Sequence, residues 1–254
     1  MADFIDYEYP LNESVRTQLR LESLFDRLAQ LLPRDAAIDH HHALATLFEV
    51  MDVAARADLK SDLLQELDRQ RQQLATFRGN PSISEGALDQ AIRRIELAHQ
   101  RLHQLPGKAG QALTANDWLM GVRSRIGIPG GTCSFDLPGY YAWQQERVDK
   151  RRADLQRWVA TIDPLEQALR VNLGLLREGA SPQAVAVRGG QFQQSLAGGR
   201  PPQLARLRLE RQRTLVPEMS GNRLMLSVRL MRAEVDGRLK PALEDLTVQL
   251  ALCA

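Results

Sequence analysis

The chain has 254 residues, 44% of them hydrophobic and 25% charged, with a formal net charge of +2. That length allows one large domain or two modest ones with a real core, and the composition is that of an ordinary globular protein. No stretch approaches the ~18 uninterrupted apolar residues of a membrane-spanning helix. The acidic start M-A-D-F-I-D-Y-E-Y-P lacks the apolar region of a signal peptide.

Cys133 and Cys253 are the only cysteines and stand far apart, which argues against a disulfide framework and fits a reducing cytoplasm. The small net charge hides a division. Ser181 to Ala254 carries ten Arg and one Lys against four Glu and two Asp, whereas the preceding 180 residues carry 22 basic and 25 acidic side chains. A basic C-terminal quarter points to an acidic partner, either nucleic acid or a carboxylate-rich peptide. A solvated basic face with no partner is the competing reading.

Asn12 caps a first helix, with Glu13 in its first turn, and the apolar spacing from Val15 to Leu32 continues to Pro33. Arg16 and Arg20 share one face of it. Leu19 and Leu21 put Arg20 at the edge of the buried stripe, where an Arg stem can lie over the core. A second helix runs from about Ala37 to Arg56, and Arg56 meets the negative end of its dipole. Its His40-His41-His42 point in different directions and cannot share one metal.

A third helix spans Leu59 to about Phe77 and is stopped by Gly79-Asn80-Pro81. A fourth runs from Ser84 to near Gln104. There His99 and His103 have a zinc-compatible spacing but lack the Glu of H-E-x-x-H, so a solvent-facing pair is favoured. A fifth covers Asn116 to Arg125.

Next comes R-S-R-I-G-I-P-G-G-T-C-S-F-D-L-P, from Arg123 to Pro138, which cannot be helix. Pro129 removes a donor, and Gly130 and Gly131 allow angles closed to other residues. This turn is expected to fix how two helical halves meet, with Arg123 and Arg125 at its entrance and Asp136 at its exit. One long helix is predicted from Tyr140 to Ile162, and another from about Leu165 to Arg177 after Asp163-Pro164. The apolar side of the last (Leu165, Leu169, Leu173, Leu176) is a candidate subunit interface.

At Gly179-Ala180-Ser181-Pro182 the period changes from 3.6 to 2. In Leu204–Glu210, Ala205, Leu207 and Leu209 alternate with Arg206 and Arg208. In Arg223–Arg232, Leu224, Leu226, Val228 and Leu230 face inward, while Arg223, Ser227 and Arg229 face outward. Leu246–Leu250 repeats the pattern, and Ala184–Leu196 is a fourth strand. The expected fold is therefore α+β, with a helical domain over 1–179 and a small antiparallel sheet over 180–254. One face of that sheet packs on the helices and the other is wet and arginine-rich.

None of these residues assembles into a catalytic site. I-P-G-G-T-C-S-F lacks the spacing of a phosphate-binding loop, Cys133 has no His within its motif, and no carboxylate pair stands out. A hydrolase built on Cys133 or the His pair is thus disfavoured. Nucleic-acid binding by the arginine-rich sheet is the alternative function. Phe192 is the only aromatic after Ser181, though, so the stacking residues of a single-strand binder are missing. Several arginines on one rigid sheet suit carboxylates better.

Y-P-L-N-E-x-x-R-T-x-L-R-L-E from Tyr9, L-L-Q-E-L-D-R-Q from Leu63, the Arg123–Pro138 motif, V-P-E-M-S-G-N-R from Val216 and S-V-R-L-M from Ser227 occur in order along nearly the whole chain. In these motifs the sequence resembles the ZapD family, bacterial cell-division factors that associate with the tubulin-like FtsZ. The resemblance implies a non-enzymatic, cytoplasmic homodimer recruited to the mid-cell ring. Each subunit would have a helical and a β domain, with no cofactor, metal or membrane anchor. The dimer would bind the FtsZ C-terminal tail, bundle protofilaments and lower FtsZ GTPase activity.

The family's basic pocket falls, by resemblance, on Arg20, Arg56 and Arg229, with Arg223 near a commonly basic position. Met225 stands where many relatives carry another basic residue, and Tyr141 where His also occurs. Arg123 and Arg125 match the motif as further partner-binding candidates or as braces for the turn against Asp136.

Overall fold

The computed structural model describes residues 3–55 and 58–254. They form two compact units, one made of the chain up to Arg16 together with Leu173–Ala254, the other of Thr17–Asn172. The α+β class is as expected from the sequence. The division is not a single cut near residue 180, because strand β1 (Phe4–Pro10) belongs with the C-terminal strands.

Helix α1 (Glu13–Leu31) carries the chain into the helical unit, and Asn12 Oδ1 accepts from the Val15 N–H at 2.8 Å as its cap. Then follow α2 (Ala37–Ala54), α3 (Leu59–Ala75), α4 (Glu85–Gln104), the short α5 (Gln111–Thr114) and α6 (Asp117–Ile126). Their inward stripes, including Leu21, Phe25, Leu44, Leu47, Leu63, Leu67, Ile95 and Leu119, are fully buried. The turn after α6 is a chain of tight hydrogen bonds, Gly131 N–H to Ile128 O at 2.9 Å and Cys133 N–H to Gly130 O at 3.1 Å. Gly130 sits at φ 71°, and a Cβ on Gly131 would lie 2.7 Å from the Arg125 carbonyl oxygen, so both positions need glycine.

Where one long helix is predicted, there are two, α7 (Pro138–Gln144) and α8 (Val148–Val159). The break has a cause. Arg151 is buried and donates to the carbonyls of Gln144, Glu146 and Asp35, and its Nε donates to His40 Nδ1 at 3.0 Å. Interrupting the helix at Gln145–Arg147 frees the carbonyls that satisfy this guanidinium. Beside it the three tryptophans, Trp118, Trp143 and Trp158, lie 5.4 to 6.1 Å apart between ring centroids.

Helix α9 (Asp163–Glu178) returns the chain to the β unit. Leu165, Leu169, Leu173 and Leu176 are all buried within the chain, so that stripe is not an open subunit interface.

The remaining strands are β2 (Gln183–Val187), β3 (Gln191–Ser195), β4 (Leu204–Glu210), β5 (Leu215–Gly221), β6 (Met225–Ala233), β7 (Leu239–Pro241) and β8 (Leu246–Cys253). They build two antiparallel sheets rather than one, in the orders β1-β4-β8-β2 and β3-β6-β5 with β7 beside β6. The expected strand over 184–196 is two strands joined at Gly189-Gly190. There a Cβ on Gly190 (φ 73°) would overlap the Ala242 carbonyl.

The apolar faces of the two sheets meet each other. Phe192, Leu207, Leu209, Leu226, Val228, Leu230, Val248 and Leu250 make one cluster. A sheet face needs an apolar partner, and a second sheet serves as well as a helix. Leu224, expected inside, is 68% exposed because β6 begins one residue after it.

Candidate partner-binding surface

Most arginines of the β unit are already neutralised. On the outer face of β4, Arg208 grips Asp6 of β1 with two hydrogen bonds of 2.7 and 2.9 Å, and Arg206 lies 2.9 Å from Glu8. The register Asp6↔Arg208 and Glu8↔Arg206 makes these direct cross-strand pairs. Hydrogen bonding to Arg208 holds the Asp6 carboxyl below its usual range. Arg188 pairs with Asp245 at 3.0 Å, Arg211 with Asp3, and Arg232 with Glu244 at 2.6 Å.

The expectation of a wet arginine face is therefore too simple, since an acidic strand from the N-terminus covers its charge. The signal was legible as the alternation Asp6-Tyr7-Glu8-Tyr9.

Two arginines of this unit differ. Arg223 and Arg229 are exposed, and neither makes an ion pair or side-chain hydrogen bond among the described residues. Arg229 lies on the outward face of β6, whereas Arg223 lies in the turn between β5 and β6. The register sets Arg229 opposite Glu218 on β5 and Gln191 on β3, while Met225 (42% exposed) faces Ser195.

In the helical unit Arg20 is exposed on α1 and likewise has no ion-pair partner among the described residues. Its neighbour in spacing, Arg16, is bound to Glu13 at 3.0 Å and lies over the Tyr9 ring. Arg56 lies outside the described residues.

Arg123 pairs with Asp52, and Arg125 approaches Asp136 to 3.9 Å, so these two brace the turn and its neighbour helix. Arg123 also lines a cavity of about 350 Å³ with Met51, Lys108 and Gln111. Tyr141 is 47% exposed on α7, one residue after the buried Tyr140, whose hydroxyl burial pushes well above its ordinary pKa.

The His residues are occupied structurally. His40 Nε2 lies 2.8 Å from the Arg34 carbonyl and His41 Nδ1 2.8 Å from the Tyr140 hydroxyl, while His99 and His103 stack with centroids 6.2 Å apart. Among the described residues no group of three or more His, Cys, Asp or Glu could hold a metal ion, and no helix is long and apolar enough to cross a membrane.

A family model described as "ZapD: Cell division protein" matches residues 19–229, from within α1 through the remaining helices and the strands from β2 into β6. The chain belongs to the ZapD family. A role in cell division follows from that membership. The curated relatives include the Cell division protein ZapD of Ralstonia pickettii (strain 12J), 50% identical over 248 residues that cover 97% of this chain and 98% of the relative. That of Aromatoleum aromaticum is 48% identical over 250 residues, covering 98% of this chain and 97% of the relative. A third, from Cupriavidus taiwanensis, is 50% identical with the same coverage as the first.

Proposed function

We propose that this protein binds the acidic C-terminal tail of FtsZ through exposed arginines and, as a homodimer, cross-links FtsZ protofilaments at the mid-cell ring, lowering FtsZ GTPase activity without being an enzyme itself. The reading rests on one contrast. Arg20, Arg223 and Arg229 stand in solvent with no ion pair among the described residues, while neighbouring arginines are satisfied by Asp6, Glu8, Asp245 and Glu244. A guanidinium left without an internal anion keeps its planar fork for a carboxylate supplied from outside. Family membership supplies the cellular setting.

Cross-linking follows from symmetry. A two-fold dimer presents the same site twice, and tails arrayed along a filament raise the effective concentration for the second site, so individually weak contacts suffice. Nucleic acid is a poorer fit, because the density of Arg on β4 that would draw phosphates is offset by β1.

The test is sedimentation of polymerised FtsZ at low speed with and without this protein. Added protein is expected to bring FtsZ into the pellet as bundles. An unchanged pellet at saturating protein would reject the reading.

A further inference from the structure

The outer face of the β3-β6-β5 sheet carries a row of polar side chains that no other described residue engages. On β3, Gln191 and Gln193 point outward and are exposed, with Phe192 between them buried in the core. The register sets Gln191 beside Arg229 and Gln193 beside Ser227 on β6. Among the described residues none of the four side chains makes a hydrogen bond or ion pair. Together with Arg188, Gln191, Phe192, Gln193 and Ser227 line a concavity of about 360 Å³. The next glutamine is different in kind, since Gln194 lies on the other parity and donates to the Ser195 carbonyl at 3.1 Å.

The spacing of this row matches a ligand class. Residues two apart on a strand are separated by about 6.7 Å, which is also the repeat of an extended peptide lying alongside. A glutamine amide offers both a donor and an acceptor, so two of them at that interval can pair with successive main-chain amide groups of such a segment. Arg229 at one end adds a guanidinium for a carboxylate. On the other flank of Arg229 stands Glu218, its cross-strand neighbour on β5, exposed and with no ion pair among the described residues. That charge repels an acidic ligand from the β5 side and leaves the β3 side open to it.

We infer that the row Gln191, Gln193, Ser227 and Arg229 is the seat of an extended acidic peptide segment, its main chain read by the two glutamines and its carboxylate by Arg229, with Glu218 setting the side on which it lies. This rests on the tail-binding reading above and adds to it the residues that recognise the peptide backbone and the direction from which it is held.

Binding of a fluorescein-labelled FtsZ tail peptide to the full chain, followed by anisotropy, tests the inference with two opposed substitutions. Gln193→Glu removes the amide donor and adds repulsion, and is expected to raise Kd about five- to tenfold. Glu218→Gln relieves the repulsion and is expected to lower Kd about two- to threefold. Both sites are exposed, and unchanged circular dichroism and melting temperature verify the fold. A control peptide with its acidic residues changed to amides should bind weakly to every variant and erase the benefit of Glu218→Gln. Tight binding to wild type with both substitutions neutral overturns the inference and leaves the tail-binding reading standing. No binding of the peptide to wild type removes that reading, and this inference with it.

Discussion

Arg177 holds the Glu8 carboxylate with two hydrogen bonds, Nε to Oε1 at 2.8 Å and Nη2 to Oε2 at 2.7 Å. Arg206 adds an ion pair to the same carboxylate at 2.9 Å, although its N–H is not directed at the oxygen, so the bidentate pair is the stronger contact. Glu8 is thus the anion that ties β1, β4 and the end of α9 together within the β unit. Glu8→Ala leaves two partly buried guanidinium groups without it. A destabilisation of about 2 kcal/mol is expected, discounted for their partial exposure. In a chain of this size that lowers the melting temperature by roughly 4–8 °C. An unchanged thermal melt would show that water replaces the carboxylate at no cost.

Charge reversal at the proposed site separates binding from folding. Arg229→Glu, and Arg56→Glu by the family correspondence, are expected to abolish the proposed FtsZ bundling in the pelleting assay while the circular dichroism spectrum and the oligomeric mass stay as in wild type. Arg125→Glu should act differently, because Arg125 faces Asp136 and the damage falls on the turn, lowering the melting temperature first. Unfolded Arg229→Glu protein would make that arginine structural and remove it from the site.

Bundling should weaken as salt rises. Arg20, Arg223 and Arg229 are solvent-exposed, and the screening length shrinks from about 10 Å at 0.1 M to about 3 Å at 1 M. Turbidity or pelleting across a salt series checks this. Indifference to salt would point to an apolar contact instead.

His40 predicts an acid-sensitive fold. Desolvation by burial lowers its pKa, the Arg34 carbonyl opposes that, and the cationic Arg151, which donates to Nδ1, lowers it further. Its folded-state pKa lies below the unfolded value of about 6.5. The stability it contributes is therefore complete above that value and is lost as pH falls through the folded pKa. Desolvation lowers His41 in the same direction. Melting temperatures measured downward from neutral pH should fall in wild type, and fall less steeply in His40→Gln. Equal slopes would assign the acid sensitivity to the carboxylates.

Helices with strong caps and an amphipathic period were legible in the sequence, since Asn12, Ser84 and Asn116 each accept the hydrogen bond their position predicts. The strands of clearest alternation, β4, β6 and β8, were legible for the same reason. What escaped depended on long-range pairing. Strand β1 shows its own short alternation, Asp6-Tyr7-Glu8-Tyr9, but its pairing with β4, some 200 residues away, and the arginines it covers follow only from the register. The false continuity of α7 and α8 came from a tertiary demand, the carbonyls required by Arg151, which no local period encodes. Candidate arginines were visible as residue types, but their use was not. Arg206 and Arg208 look as available as Arg229 until the anions opposite them are known.

Because β1 pairs with a strand that follows the whole helical unit, a nascent chain emerging from the ribosome must keep Phe4–Pro10 waiting until nearly the last fifth of the polypeptide has appeared. Tyr7 and Tyr9 stay uncovered for that interval, while the helices between can already fold. An N-terminal tag or deletion would accordingly do its harm far downstream, in the sheet that carries Arg206 and Arg208, and leave the local helices untouched.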